Sequence, residues 1–192
     1  MMKNNLSASY HSVVHQILRE RRTSHHFSDE DIPESLIENA VESVRWAPNH
    51  YLTEPWRVYL LGPEVKNQII SLNTEILEGS KGEKAAEIKA ARWKQIPGWL
   101  LVNCIKSEDE LRQVEDYAAC CCGIQNLMLS FWADGVGVKW TTGEVTRDPR
   151  LAQIVGFNGE EENVVGLLWF GVAKGVAEQK RKPIEHYFFR VP

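Results

Sequence analysis

Arg21-Arg22-Thr23-Ser24-His25-His26-Phe27 brings two guanidiniums, two hydroxyls and two imidazoles together just where a helical pattern ends. Arg forks bind an anion such as phosphate bidentately, and hydroxyls complete its remaining oxygens, so this run is a dense anion-donor set. About twenty residues later comes Ala47-Pro48-Asn49-His50-Tyr51-Leu52-Thr53-Glu54-Pro55-Trp56, a proline-punctuated turn whose Trp leads into an apolar run. A bland reading exists for both: cations at a helix C-terminus interact favourably with its dipole, and Trp56 would anchor a core beneath a surface loop.

Outward from these segments the periodicity sets the elements. Val13, Val14, Ile17 and Leu18 make Tyr10 to Arg22 an amphipathic helix. Pro33 suits the first turn of a second helix through Leu36, Ile37, Ala40, Val41 and Val44, which stops before Pro48. Arg57 to Leu61 reads as a strand, and Pro63 opens a third helix toward Leu77. Glu78 to Lys94 is charged and poor in large apolar residues, which predicts a mobile, weakly helical loop covering a site.

Trp99 to Ile105 reads as a buried strand, and 108–134 as a long helix apolar on most faces, suited to a fold centre or a subunit interface. Val136 to Thr142 is a further strand, Asp148-Pro149 caps a short helix ending near Gly156, and Asn163 to Val172 is the most β-like run. With no linker, repeat or low-complexity segment, the expectation is one α+β domain over 1–192, with about four strands enclosed by helices.

The 192 residues are 43% hydrophobic, enough for one full core, and the formal charge of -4 gives no global attraction to nucleic acid or an acidic membrane. No run reaches the roughly 18 apolar residues of a membrane helix, and the polar opening lacks a signal-peptide h-region, so a cytoplasmic protein is expected. Cys104 and Cys120-Cys121-Cys122 have neither disulfide-framework nor zinc spacing, and read as small buried residues in a reducing compartment; no metal is expected. Glu115-Asp116 is taken as complementing the dipole near the start of the long helix, and His11, His15, His26 and His186 as surface or structural.

Taken in order along the chain, these segments resemble the nitroreductase family. That family opens with an Arg-Arg-Ser-x-Arg-x-Phe-like run, matched here by Arg21, Arg22, Thr23, His25 and Phe27, with His25 replacing a base. An Ala-Pro-Ser-Ser-x-Asn-x-Gln-Pro-Trp-like segment follows in the family, and Pro48, Asn49 and His50 occupy its contacting positions, while Leu52 and Glu54 depart from it. The stretch Trp140-Thr141-Thr142-Gly143 stands after the long helix, and Lys180-Arg181 precede Pro183-Ile184-Glu185, as a basic pair precedes Pro-x-Glu in the family.

The resemblance implies a mixed, mostly antiparallel sheet in a domain-entwined homodimer, with FMN at the interface. Arg21, Thr23, His25 and Arg181, with Arg22 and Lys180 beside them, would hold the phosphate and ribityl chain. Pro48, Asn49 and His50 would reach the other subunit's flavin. Trp140 and Thr141 would line its wall, and the backbone N–H groups of Thr142 and Gly143 would face its ring. The activity implied is NADH- or NADPH-dependent reduction of a nitroaromatic, a quinone or a similar acceptor by a ping-pong mechanism. A flavin sensor or carrier without turnover, or a specialised reaction such as flavin fragmentation or reductive dehalogenation, are the alternatives. No side-chain nucleophile is required, because hydride chemistry belongs to the cofactor.

Overall fold

The computed structural model describes residues 8–175 and 178–192; the polar opening, residues 1–7, lies outside the described residues. Four strands, β1 (Trp56–Leu60), β2 (Gly98–Ile105), β3 (Val136–Thr141) and β4 (Glu162–Val172), form one sheet in the order β1-β2-β4-β3. Every strand pair is antiparallel. The parallel component is the isolated bridge between Thr23 and Val138 at the outer edge of β3.

Side-chain alternation separates two cores. Leu100, Val102 and Cys104 of β2 join Val136, Val138, Val165, Leu168 and Phe170 beneath α5 (Glu110–Ala133) and α2 (Glu34–Glu42). Trp99, Leu101, Leu167 and Trp169 point the other way, toward α3 (Pro63–Lys81), α4 (Glu83–Lys94) and α6 (Arg150–Val155). Strict alternation would put Leu167 with Val165. The register shift at Val102/Asn103, opposite Gly166 and Val164, resets the parity as a β-bulge does.

α5 begins where Asp109 accepts the Arg112 N–H at 2.9 Å. Its face carrying Cys120, Ile124, Leu127 and Phe131 is fully buried, each residue at 0% exposure. α2 tightens into a 3-10 turn, Ser43–Trp46, and stops before Pro48. Asp148 accepts the Arg150 N–H at 2.9 Å ahead of α6, which ends at Gly156 in the left-handed conformation.

Glu78 to Lys94 is a correction: it is helical rather than a loop, with α3 running to Lys81 and α4 following after Gly82. Gly82 sits at φ 84, a backbone region that favours glycine, and this breaks the helix without freeing the chain. Ala85, Ala86, Ala90 and Ala91 favour helix, and two buried residues two turns apart, Ala86 and Trp93, anchor α4, Trp93 packing against Trp99 and Trp169 of the sheet. The cysteine expectation also needs amending. Cys104 and Cys120 are buried, but Cys121 is half-buried and Cys122 exposed, because three consecutive helical positions span too wide an arc to share one core face.

Among the described residues no helix is long and apolar enough to cross a membrane, and no group of three or more His, Cys, Asp or Glu could hold a metal ion.

Candidate active site

α1 (Ala8–Glu20) delivers the segment from Arg21 onward to the edge of the sheet. The Ser24 N–H donates to the Val138 carbonyl at 3.1 Å, the Ser28 N–H to Val172 at 2.8 Å, and the Lys174 N–H to His26 at 2.9 Å. Phe27 bridges Ala173 and is buried. Close docking is possible because Gly137 lacks a side chain: a Cβ there would come within 2.2 Å of Ser24 Oγ.

Two basic centres result. In the first, Arg21 is drawn below its ordinary ionisation range by burial, then by the charges of Arg181 and Arg22. Its Nη1 is buried and meets no acceptor. Arg22 Nη1 donates to the carbonyls of Arg19 and Arg21. No carboxylate pairs with Arg21, Arg22 or Arg181 among the described residues. Three guanidiniums near one another, one half-buried and unpaired, make a site that an anion would complete. Lys180 is exposed in the same tail.

The second centre is a cavity of about 730 Å³ on the α4 side of the sheet. His25, Thr141 and Gly143 line it, as do Lys89, Arg92, Lys139 and Lys174. Trp93, Trp169 and Phe27 supply its aromatic walls, and His26 also belongs to it, which corrects its reading as a bystander. Lys89 Nζ stands 5.1 Å from the Trp93 ring centroid and Lys139 Nζ stands 5.0 Å from that of Trp169. Burial foremost, and then Arg92 and Lys89, hold the Lys139 ammonium below its usual range. His25 is lowered by burial first, then by Lys139, His26 and Arg92.

Trp140 turns the other way and is corrected accordingly. It packs with Val136 and Val138 on the α5 side, and its Nε1 donates to the Val165 carbonyl at 3.3 Å. Strand parity is the reason, since Lys139 and Thr141 are the β3 residues that face the cavity. Past the strand end, neither Thr142 nor Gly143 donates its N–H to a protein acceptor among the described residues. The Gly143 carbonyl accepts from the Thr146 N–H at 2.9 Å and from its hydroxyl at 2.8 Å, which fixes the turn.

Pro48, Asn49 and His50 do not line this cavity. They open a turn in which Tyr51, Leu52 and Glu54 all have positive φ, a costly arrangement for residues with side chains. Asn49 holds it: Oδ1 accepts the Glu54 N–H at 2.8 Å and Nδ2 donates to Thr53 Oγ1 at 3.0 Å. The Thr53 hydroxyl donates to the buried Asp116, and His50 Nδ1 lies 3.0 Å from Glu115 Oε2. Glu115 and Asp116 are therefore anchors of this turn. The dipole reading is replaced, since the acid of the first helical turn is Glu110.

The cavity cations escaped the sequence reading although their pattern was present. Lys89, Arg92 and Trp93 share one face of α4 at i, i+3 and i+4, and Lys139 and Thr141 share one face of β3.

The nitroreductase family model matches residues 18–172. YfhC of Bacillus subtilis (strain 168), a proposed NAD(P)H nitroreductase, is 33% identical over 184 residues, which cover 93% of this chain and 94% of the relative. The nitroreductase-like family protein from Bacillus cereus superposes with a TM-score of 0.81 at 27% identity, covering 93% of this chain and 95% of that one. NfnB from Mycobacterium smegmatis, an FMN-dependent nitroreductase solved in complex with NADPH, gives a TM-score of 0.78 at 12% identity over 95% of this chain and 100% of that one. The last likeness speaks to the fold alone. With a family match over most of its length, this chain belongs to the nitroreductase family.

Proposed function

We propose that the protein is an FMN-dependent oxidoreductase that takes electrons from NADH or NADPH and passes them to a nitroaromatic, quinone or similar acceptor. The observation that carries this reading is the buried, unpartnered Nη1 of Arg21 beside Arg22 and Arg181. A phosphate monoester fits it, because a dianion offsets clustered guanidiniums and offers oxygens to a fork. Thr23 would add its hydroxyl, with His25 and Lys180 at the margin of the clamp. The name of YfhC points to the same chemistry.

When bound, FMN would supply hydride chemistry at N5. The chain's part is to hold and tune it. The free N–H groups of Thr142 and Gly143 suit a ring that gains negative charge on reduction, since fixed donors stabilise such charge at little reorganisation cost. Thr141 would form part of the wall, and Trp140 would act only through packing behind it.

The working unit is proposed to be a homodimer with the cofactor at its interface. α1 exposes Tyr10, Val13, Val14 and Leu18 at 50–61%, an apolar stripe that a soluble helix normally covers. Leu111, Val114 and Tyr117 of α5 are likewise exposed, as are Tyr51 and Leu52 of the strained turn. Pro48, Asn49 and His50 would then reach the partner's cofactor. Asn49 would do so by its backbone, because its side chain is spent on the turn, and His50 through Nε2, which has no partner among the described residues.

The test is the absorption spectrum of the purified protein, followed by anaerobic titration with each nicotinamide. Bound FMN that bleaches with NADH or NADPH, and parallel double-reciprocal lines for donor and acceptor, are expected. A protein without affinity for FMN overturns the assignment, and a yellow protein that neither nicotinamide bleaches would be a carrier. Light scattering showing a flavin-loaded monomer at micromolar concentration would remove the shared site.

A further inference from the structure

Tyr51, Leu52 and Glu54 hold φ values of 59, 50 and 47° within one short turn. Backbone in this region is unfavourable for residues with side chains, and persists only where its surroundings over-determine it. Two neighbouring carboxylates of α5 divide that task. Asp116, only 5% exposed, accepts the Thr53 hydroxyl, while Asn49 links Thr53 to the Glu54 N–H. Glu115 takes His50 instead, with Oε2 at 3.0 Å from Nδ1. The Tyr51 ring stacks on the imidazole at 4.0 Å with the planes 18° apart, and the Arg112 guanidinium lies 5.4 Å from the Tyr51 ring centroid. The imidazole is thus held at one edge and on one face.

A carboxylate only accepts hydrogen bonds, so the contact with Glu115 puts a proton on Nδ1. Nε2 has no partner among the described residues, and the His50 side chain is 58% exposed. In either charge state of the ring, Glu115 therefore leaves Nε2 as the atom that exchanges a proton with whatever lies beyond the turn. The charged groups around it are Glu115 at Nδ1, Asp116 behind Thr53 and Arg112 beyond Tyr51. A residue that served only as an interface contact would need no such fixed tautomer.

Resting on the oxidoreductase and homodimer readings above, we propose that His50 delivers the proton of the acceptor half-reaction and that Glu115 is its positioning residue. Reduction of a quinone to a hydroquinone takes a hydride and a proton. The hydride belongs to the chemistry of the bound cofactor. The proton leaves Nε2 of the imidazolium: the N–H bond breaks, the quinone O–H bond forms, and the electron pair stays on Nε2. The ring is left neutral with Nδ1–H still on Glu115, and water reprotonates Nε2 from the exposed side. Without Glu115 the ring would rotate and exchange tautomers, and the donor would lose its aim.

The probes are benzoquinone, which needs the proton, and ferricyanide, which takes electrons alone. Reoxidation of reduced, flavin-loaded protein is followed by stopped flow at high salt, which screens the change of charge at position 115. The quinone-to-ferricyanide rate ratio should fall roughly tenfold or more in Glu115→Ala, within the contribution of a positioned general acid. Glu115→Gln should stay within about threefold of wild type, because its amide oxygen can still accept from Nδ1. His50→Gln should lower the ratio at least as far as Glu115→Ala, and the double variant no further, as two residues acting through one proton require. Imidazole 15N shifts of the protein as purified give a readout free of turnover. The neutral His50 ring should carry its proton on Nδ1 in the wild type and largely on Nε2 in Glu115→Ala.

A wild-type ring protonated on Nε2 overturns the proposal. So does a rate ratio that keeps its wild-type value in Glu115→Ala and His50→Gln. Equal slowing with both acceptors would make the pair a prop of the turn, and equally overturns it. Should the protein fail to bind FMN, fail to bleach, or carry its flavin as a monomer, the reading beneath fails and the proton delivery with it. The nitrogen shifts still decide whether Glu115 sets the His50 ring.

Discussion

The two faces of the sheet share strands and differ in what they are built to do. Toward α5 the cover is continuous, with Ile124, Leu127 and Phe131 at 0% exposure and Phe131 stacked on Phe170 at 5.0 Å. Toward α4 the cover is incomplete: three tryptophans pack edge-on or tilted about one another, and a cavity opens beside them. One strand serves both. Val138 and Trp140 of β3 enter the closed core, while Lys139 and Thr141 between and beyond them face the cavity. Scaffold and site are therefore one residue apart in sequence and a full sheet apart in space.

The largest effect should come from the closed face. Phe131→Ala removes a fully buried ring, and unfolding should become easier by roughly 3–5 kcal/mol. FMN affinity of the folded fraction should stay within a few-fold of wild type. Denaturant titration and flavin fluorescence measure the two separately, and a parallel collapse of both would mean that the faces are not independent.

Arg21→Ala reverses the pattern. FMN binding should weaken by about 1.5–3 kcal/mol, the scale of a charge-assisted hydrogen bond. The cofactor-free protein should lose little stability, because an unpaired half-buried charge disappears. An unchanged FMN affinity would remove Arg21 from the clamp.

Gly137→Ala tests the seam between the faces. Its Cβ would lie 2.2 Å from Ser24 Oγ and 2.8 Å from the Ala173 Cβ, so the docked segment must shift. Overpacking of this kind costs about 1–3 kcal/mol, and here FMN binding should fall with stability. Wild-type binding in a destabilised Gly137→Ala protein would detach the clamp from the edge of β3.

Most of the scaffold was legible because its signals are local. The helix from Pro63, the Glu110–Ala133 helix and the β4 run follow from periodicity and caps. Resemblance picked out Arg21, Thr23, His25 and Arg181, and the basic residues Arg21 and Arg181 are close enough to interact across 160 positions of chain. Two things resisted. α4 hid behind its charge, since helices are held as much by two buried anchors, Ala86 and Trp93, as by a broad apolar stripe. The cavity cations hid because Lys89, Lys139 and Lys174 come from α4, β3 and the chain after β4, and only the folded sheet gathers them. Trp140 lies on the side opposite to the one the resemblance implies, because alternation along β3 places it with Val138 while Lys139 and Thr141 face the cavity.

The smallest effect belongs to His25, where the two centres meet. Its folded ionisation lies below the usual imidazole value, through burial and then the charges of Lys139, His26 and Arg92. A folded value depressed below the unfolded one means that the native state binds fewer protons in the window between them. The stability contribution is thus present above about pH 6.5, the ordinary imidazole value, and is lost as pH falls through the folded value. His25 is exposed to solvent, so the change is modest. Thermal melts of cofactor-free protein should therefore show a shallow decline below pH 6.5 that flattens in His25→Asn. An FMN phosphate at the clamp supplies negative charge near this group and should raise its ionisation, so FMN binding near neutral pH should take up protons. Calorimetry of FMN binding in buffers of different ionisation enthalpy reads that uptake directly. Uptake that persists unchanged in His25→Asn would assign the proton to another group of the protein, since a phosphate held by guanidiniums gives up protons, and would leave His25 in the cavity wall alone.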